Sequence, residues 1–356
     1  MSKVRAIALY LPQYHPIPEN DNWWGKGFTE WTNVGKAKPL FPGHYQPHVP
    51  ADMGYYDLRV PEVREAQAEL AREYGIEGFC YWHYWFGNGK QLLDRPFNEV
   101  LSSGRPNFPF CIGWANESWK GFYHGLSGRN VLIEQKYPGE EDYTNHFMTL
   151  LPAFQDKRYI RVNGKPLVLI YNPQGLPDAV FFIYLWQKLA KDNNLPGLHF
   201  VGHTYDSRSI DKILSYGFDA VNVMRIFDYT KDISFLFRIK QWVECKMMGF
   251  PRIVSYNYAS RFFVGNEDSR FNVYPSIIPN WDHTPRTGRK GVVFHNSNPK
   301  LFAAHLSDVK KVLSSKPEES RIVFIKSWNE WAEGNYLEPD LRWGKAYLEE
   351  VAKAIK

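Results

Sequence analysis

Cysteine is scarce in this chain of 356 residues, which contains only Cys80, Cys111 and Cys245. An odd number at wide spacing does not build the dense disulfide framework of a small secreted domain. Two of the three lie in predicted strands, which is typical of reduced, buried thiols. The N-terminus leads straight into an apolar strand, without the apolar region and cleavage site of a secretory leader. We therefore predict a cytoplasmic protein.

Long apolar runs and a strong charge of one sign are also missing. No segment reaches the roughly 20 consecutive apolar residues that cross a bilayer, so we expect no membrane span. The net charge of +5 is mild, and the basic residues are scattered among acids. The absence of a basic arm or stripe argues against a nucleic-acid partner.

Several motifs of other chemistries are absent as well. Neither Gly-x-Gly-x-x-Gly after an early strand nor Gly-x-x-x-x-Gly-Lys-[Ser/Thr] occurs, and there is no Asp-x-Asp. The histidines show no His-Glu-x-x-His and no Cys/His pairs at ligand spacing, so we predict no metal and no cofactor. The lack of a Gly-x-Ser-x-Gly elbow argues against a serine hydrolase.

Aromatic residues, in contrast, are abundant: 13 Trp, 22 Tyr and 24 Phe make up 17% of the chain. Many stand beside polar residues just after predicted strands. Flat rings next to hydrogen-bonding groups are typical of sites that bind sugar rings. We expect about half of these aromatics to fill the core and the others to serve binding.

Apolar runs alternate with helical patterns along the whole chain. The predicted strands are Val4–Leu11, Ile76–Tyr84, Phe110–Ala115, Leu167–Tyr171, Leu198–Thr204, Ala220–Ile226, Arg252–Tyr256 and Arg321–Ile325. The predicted helices are Pro61–Tyr74, Leu92–Ser103, Asp142–Gln155, Asp178–Asp192, Ile210–Tyr216, Phe235–Met247, Leu301–Leu313 and Gly344–Ile355. Eight strand–helix units predict a (β/α)₈ TIM barrel, an α/β fold, in a single domain over residues 1–356. An open, doubly wound sheet is the alternative.

In such a barrel the active site lies at the carboxyl ends of the strands. Polar and aromatic residues recur at these ends, and their recurrence on one face predicts a carbohydrate cleft. The candidate substrate-binding residues are Tyr10, Gln13, Tyr14, Trp82, His83, Tyr84, Trp114, Asn116, Glu117, Trp119, Tyr171, His203, Tyr256, Trp281, Asp282, Trp328 and Asn329.

The most informative stretch follows the last predicted strand and carries the candidate catalytic residues Glu330 and Glu333. Cleavage of a glycosidic bond needs two carboxyl groups, one as proton donor and one as base or nucleophile. The plainer interpretation is a turn whose glutamates cap a helix or pair with arginine. Residues three apart share a face only outside extended geometry, so the chain must turn near Trp328, with help from Gly334.

Four motifs in this order resemble the WbsX-like family over nearly the whole chain. They are Tyr10-Leu11-Pro12-Gln13-Tyr14-His15, Trp114-Ala115-Asn116-Glu117-Ser118-Trp119, Pro279-Asn280-Trp281-Asp282 and Ser327-Trp328-Asn329-Glu330-Trp331-Ala332-Glu333-Gly334. Members of this family are commonly labelled glycosyltransferases of lipopolysaccharide or O-antigen synthesis. They are related to glycoside hydrolase family 99, the endo-α-mannosidases and endo-α-mannanases.

The resemblance implies a role for each glutamate. Glu330 would deprotonate the 2-hydroxyl of the sugar to form a 1,2-anhydro intermediate. Glu333 would protonate the leaving oxygen and then activate water. We therefore expect a retaining glycoside hydrolase acting on an oligosaccharide or polysaccharide, with a glycosyltransferase and a non-catalytic binding protein as alternatives. A rival pairing joins Glu330, as nucleophile, to Glu117 as acid/base.

Overall fold

The computed structural model describes residues 4–121 and 130–355, and its centre is a parallel sheet curled into a barrel. In this described part the barrel strands are β1 Arg5–Tyr10, β2 Gly78–Trp85, β3 Phe110–Trp114, β4 Lys165–Ile170, β5 His199–Thr204, β6 Ala220–Val223, β7 Val273–Tyr274, β8 Ser276–Ile277 and β9 Ile322–Ile325. Their spatial order is β7, β6, β5, β4, β3, β2, β1, β9, β8.

The two ends of this order meet at Pro275. Strand β7 pairs with β6 and β8 pairs with β9, while Pro275 alone separates β7 from β8. Proline has no N–H to donate, which splits the run into two halves. Its carbonyl still accepts from the backbone N–H of Phe324 at 3.1 Å. The two halves fill one barrel position, so the predicted (β/α)₈ barrel is confirmed.

The seventh predicted strand, Arg252–Tyr256, is wrong as a member of the barrel. A strand does form at Arg252–Ser255, but it pairs with Val292–His295 in a separate two-stranded sheet. The true seventh position lies between Tyr256 and Leu301, where the sequence predicts neither a strand nor a helix. Two-residue strands around a proline are too short to show a period, and so the pattern misses them.

Helices surround the barrel. They are α1 Pro18–Trp24, α2 Glu30–Lys36, α3 Pro61–Glu73, α4 Arg95–Ser103, α5 Glu140–Gln155, α6 Ala179–Asp192, α7 Ile210–Ser215, α8 Phe235–Trp242, α9 Tyr256–Ala259, α10 Thr284–Thr287, α11 Pro299–Ser314 and α12 Ala346–Ile355. Every predicted helix is present within a few residues, and the short helices α1, α2, α9 and α10 were not predicted. Within residues 4–121 and 130–355, none of them combines the length and the apolarity that crossing a bilayer requires.

Candidate active site

The chain turns sharply after β9, at the motif that carries the two glutamates. Residues Asn329–Glu330 pair antiparallel with Asn335–Tyr336, and one 3₁₀ turn, Trp331–Glu333, lies between them. The chain bends at Trp328, as expected, and leaves extended geometry again at this 3₁₀ turn. The turn brings two carboxylates three residues apart to the same side.

Gly334 closes this turn, and two features require a glycine there. Its φ of 66° lies in the left-handed region. A Cβ at this position would lie 2.8 Å from the Cβ of Asp282. Asp282 comes this close because its backbone N–H donates to the carbonyl of Glu333 at 2.7 Å. The loop that carries Asp282 thus fixes the position of the Glu333 backbone.

Glu330 and Glu333 meet at the ammonium group of Lys326. The Nζ of Lys326 donates to Oε2 of Glu330 and lies 3.2 Å from Oε2 of Glu333. The guanidinium of Arg286 donates to Oε1 of Glu333 through one nitrogen, and another nitrogen lies 3.1 Å from Oε2 of Glu30. The Glu330 side chain is 7% exposed and that of Glu333 is 12% exposed, so solvent screens these charges weakly.

Three carboxyl groups in this cluster face two permanent positive charges, which favours uptake of a proton. Burial, followed by the charge of Glu333, raises the pKa of Glu330 to about 7. Burial also opposes ionisation of Glu333, but Lys326 and Arg286 outweigh it and hold the pKa of Glu333 well below its usual range. The pair therefore binds one proton below neutral pH, mainly on Glu330.

The two carboxylates lie in a cleft at the carboxyl end of the barrel. Six predicted substrate-binding residues line it with them, namely Gln13, Trp82, Tyr84, Glu117, Trp119 and Tyr171. The cleft is also lined by residues that were not predicted, chiefly Tyr205, His283, Arg286 and Lys326.

Aromatic pairs form the walls of the cleft. The rings of Trp82 and Tyr171 meet edge to face at 5.6 Å, and those of Tyr84 and Trp119 do so at 5.1 Å. Edge-to-face pairs hold their rings in defined orientations. The cleft thus offers fixed apolar surfaces of the size of a sugar ring.

Polar groups complete the walls. Oε1 of Glu117 accepts from Nδ2 of Asn172 at 3.1 Å, and burial raises the pKa of Glu117. The Nε2 of Gln13 is buried, and it has no hydrogen-bond partner among the residues that the structure describes. A donor left open at a cleft wall is suited to a ligand oxygen.

Five predicted residues support the cleft from behind and do not line it: Tyr14, Asn116, His203, Trp281 and Asn329. The side chain of Asn329 bonds to both backbone groups of Leu11, at 2.8 Å and 3.0 Å. The hydroxyl of Tyr14 donates to the carbonyl of Asn329. These bonds tie the glutamate turn to the end of β1.

The other three supporting residues lie under the cleft walls. Oδ1 of Asn116 accepts from the backbone N–H of Asn172 at 2.7 Å, which positions the partner of Glu117. The ring of His203 stacks on Tyr171 at 5.2 Å. The ring of Trp281 lies 5.8 Å from Nζ of Lys326.

Six further residues that were predicted to bind substrate do not line this cleft: Tyr10, His83, Trp114, Tyr256, Trp328 and Asp282. Neighbouring residues of a strand point to opposite faces, and three of the six point away from the barrel axis. Tyr10 donates to Gln67 on α3, and His83 lies 2.9 Å from His146 on α5. Trp114 donates to the carbonyl of Trp85.

The side chains of the remaining three, Trp328, Tyr256 and Asp282, contact other parts of the protein. The ring of Trp328 is fully buried and packs on Phe79 at 5.1 Å. The hydroxyl of Tyr256, on α9, donates to the carbonyl of Ile278. Oδ2 of Asp282 accepts from Gln46 at 2.6 Å and lies 2.8 Å from the ring nitrogen of His44, behind the cleft.

Two of the missed residues left a signal in the sequence. Lys326 is a lone cation directly after a buried apolar strand, where an unpaired charge is costly. Tyr205 stands in the polar-aromatic run that follows β5. Arg286 left none, because it lies on a four-residue helix that is too short to show a helical pattern.

Among residues 4–121 and 130–355, no three His, Cys, Asp or Glu side chains come together in a way that could hold a metal ion.

The barrel with paired carboxylates at its carboxyl end has the fold of known glycosidases. The structure is similar to a protein described as "Glycoside hydrolase-like protein", with a TM-score of 0.61 and 16% identity over 100% of this chain and 95% of that one. It is also similar to the GH99 endo-alpha-mannosidase from Bacteroides thetaiotaomicron, with a TM-score of 0.57 and 15% identity over 99% and 96% of the two chains. At these identities the likeness concerns the fold.

Residues 6–351 match the family described as Glycosyltransferase WbsX, and the chain belongs to this family. The resemblance to the WbsX-like family is therefore confirmed. A curated relative, "Uncharacterized protein WxcX" of Xanthomonas campestris pv. campestris strain B100, is 37% identical over 360 residues. The match covers 98% of this chain and 49% of the relative. The protein of the same name from a second strain is 36% identical, so the chain spans about half the length of the curated relatives it matches.

Proposed function

We propose that this chain is a glycan-active enzyme with retaining glycoside hydrolase chemistry, in which Glu330 and Glu333 work as a pair. One observation carries the proposal: the two carboxyl groups share the ammonium group of Lys326 in an aromatic cleft. The raised pKa of Glu330 beside the lowered pKa of Glu333 supports one proton on the pair near neutral pH. A pair that holds one proton supplies an acid and a base at the same pH, as glycosidic bond cleavage requires. The proposed substrate is an oligosaccharide or polysaccharide.

The cleft walls support a sugar ligand. Trp82, Tyr84, Trp119 and Tyr171 offer apolar faces to the C–H groups of a sugar ring. Gln13, whose buried Nε2 has no partner among the described residues, and the carboxyl group of Glu117 also line the cleft and would bond to hydroxyl groups. The combination of several rings with a few polar groups is what a carbohydrate site needs.

The proposed reaction has two steps. Glu330 removes the proton of the 2-hydroxyl, whose oxygen attacks the anomeric carbon while Glu333 protonates the leaving oxygen. In the second step Glu333 deprotonates the water that attacks the anomeric carbon. As the bond between the anomeric carbon and the 2-oxygen breaks, Glu330 returns its proton to the 2-oxygen. In the unliganded cleft the proton lies mainly on Glu330, so substrate binding must transfer it to Glu333 before the bond breaks.

This division of roles can be tested with an activated leaving group. An aryl glycoside whose leaving group needs no proton should restore turnover in Glu333→Gln and not in Glu330→Gln. Rescue of Glu330→Gln alone would reverse the two roles. A covalent glycosyl adduct on Glu330 would instead favour direct attack, with Glu117 as the acid, a pairing that needs about 5–5.5 Å between the carboxyl groups.

The proposed activity is tested by a screen of oligosaccharides with and without nucleotide-sugar or lipid-linked donors. A hydrolase needs water alone, and turnover that depends on a donor would identify a glycosyltransferase. The transferase is the second candidate because the family carries that description. A protein that binds glycans with the same affinity before and after Glu330→Gln, and turns none over, would be a binding module.

Two further expectations belong to this proposal. We propose that residues 1–356 form a single catalytic domain, which the longer relatives would carry beside other sequence. The cytoplasmic location also stays a prediction, drawn from the number and spacing of the cysteines and from the N-terminal sequence.

A further inference from the structure

Helix α8 exposes its apolar side. Neither α8 nor the π turn Val243–Met247 that continues it contains a buried residue. Four apolar residues of the helix are exposed: Phe235 by 75%, Leu236 by 77%, Ile239 by 45% and Trp242 by 59%. Met247 and Met248 extend this exposed surface. A surface helix ordinarily turns such residues toward the core.

Helix α8 is ordered, but its apolar face points to solvent and not toward the core. Helical spacing places Phe235, Leu236, Ile239 and Trp242 on one face. The other side faces the protein, where the ring of Phe237 contacts Tyr258 at 6.0 Å and Nε2 of Gln241 is buried. An exposed patch of large apolar residues on an ordered helix marks a surface that another body covers.

Positive charge surrounds this apolar face. Residues 231–248 contain four basic and two acidic side chains. Lys240 lies 3.6 Å from Glu244, whereas Arg238 and Lys246 form no ion pair with any residue that the structure describes. Lysine is depleted at the centre of protein interfaces. A face of Trp, Phe and Leu flanked by Lys and Arg is typical of a helix that lies in the surface of an anionic bilayer.

The position of α8 relates it to the cleft. The chain leaves the barrel at the carboxyl end of β6, the end at which the cleft lies, and then forms α8. Phe227 in this connection lies 6.2 Å from Tyr205, a residue of the cleft wall. The connection that leads into α8 thus begins at the cleft wall, and we infer that a body that covers α8 lies on the cleft side of the barrel.

We propose that the exposed face of α8, with Met247 and Met248, is a docking surface for an anionic lipid bilayer. Phe235, Leu236, Ile239 and Trp242 enter the interface, and Arg238, Lys240 and Lys246 contact the lipid phosphates. Docking brings the cleft end of the barrel toward the membrane. A glycan displayed on that membrane would then lie near the cleft; this last step rests on the proposed function, whereas docking does not.

The test uses the full chain and vesicles of phosphatidylcholine, with and without phosphatidylglycerol. The chain should co-sediment with the anionic vesicles and much less with the neutral ones. The double variant Leu236→Glu/Trp242→Glu should bind at least ~10-fold more weakly, because it places charge where apolar groups entered the interface. Val180→Glu/Tyr184→Glu, at exposed positions of α6, is the matched control and should bind as the unchanged chain does.

The charge contribution is tested separately with Arg238→Gln/Lys246→Gln, which should weaken binding to anionic vesicles and reduce its dependence on salt. Failure of the folded chain to bind anionic vesicles would overturn the proposal, as would equal binding by Leu236→Glu/Trp242→Glu. A dimer that this double variant converts to monomer would also overturn it and assign the face to a second copy of the chain. Vesicle binding needs no turnover, so either proposal can fail while the other stands.

Discussion

Two buried carboxyl groups, those of Glu330 and Glu338, lie on either side of Trp331 in the chain. Their pKa values are similar, but the groups around them differ. Burial is the largest cause at both sites and raises the pKa of Glu330 and of Glu338 to about 7. Glu330 contacts a cation and a second carboxyl group and lines the cleft. Glu338 accepts from the side chains of Tyr56, Trp331 and Gln67, at 2.8 Å, 2.6 Å and 2.6 Å.

The difference shows that a raised pKa does not by itself mark a working acid. At Glu338, neutral donors satisfy a carboxyl group that does not line the cleft, which is a structural role. Glu330, in contrast, forms a pair with Glu333 around the shared Lys326. The proton of this pair can lie on either of the two carboxyl groups. Access to the cleft and a second carboxyl group are what separate the two sites.

Activity should separate them most strongly. We expect Glu330→Gln and Glu333→Gln each to lower kcat/KM by ~10³-fold or more, since each removes one half of the acid–base pair. Glu338→Gln should stay within ~10-fold of the unchanged enzyme, because it touches no substrate. The measurement is kcat/KM on the glycan found in the screen, with equal folded fractions by circular dichroism. A loss at Glu338→Gln as large as at Glu330→Gln would break the comparison.

Stability should rank the two sites in the opposite order. In Glu338→Gln an amide group replaces an oxygen that accepts from Gln67, or from Tyr56 and Trp331, which should cost about 1–3 kcal/mol. Glu330→Gln removes one of two adjacent buried carboxyl groups, so its free energy of unfolding should stay level or rise. Urea unfolding at pH 7 measures both. Greater destabilisation by Glu330→Gln would contradict the charge argument.

The pH dependence should show a smaller, directional effect. Lys326 lowers the pKa of both Glu330 and Glu333, so Lys326→Met should raise both. The acidic limb of the kcat/KM profile, which reports ionisation of the base, should then move to higher pH by about one unit or more. Lys326→Arg keeps the charge and should shift it less, and Glu338→Gln should leave it in place. An unmoved limb in Lys326→Met would remove Lys326 from control of the pair.

Much of the fold could be predicted because local sequence patterns indicate most of its strands and helices. Seven barrel strands have four residues or more and lie in largely apolar stretches, and the main helices show helical spacing. The seventh barrel position could not be predicted, since β7 and β8 are stabilised by pairing with β6 and β9 rather than by any pattern of their own. The outward orientation of the apolar face of α8 could not be predicted either. Periodicity indicates that a helix is amphipathic, but it does not indicate whether the apolar face points to the core or to solvent.

The sequence by itself determined the candidate pair, because Glu330, Glu333 and Gly334 are neighbours whose spacing demands a turn. It did not determine which aromatic residues line the cleft. Every residue of β2 is buried, so the strand has no exposed polar face whose alternation would separate Trp82 from His83. Only the closed barrel decides that Trp82 faces the cleft and His83 faces α5. Nor could it supply Arg286, which is 47 residues from Glu333 along the chain. Contacts of that range exist only once the loops at the carboxyl end of the closed barrel have packed together, because no local pattern encodes a partner so far along the chain.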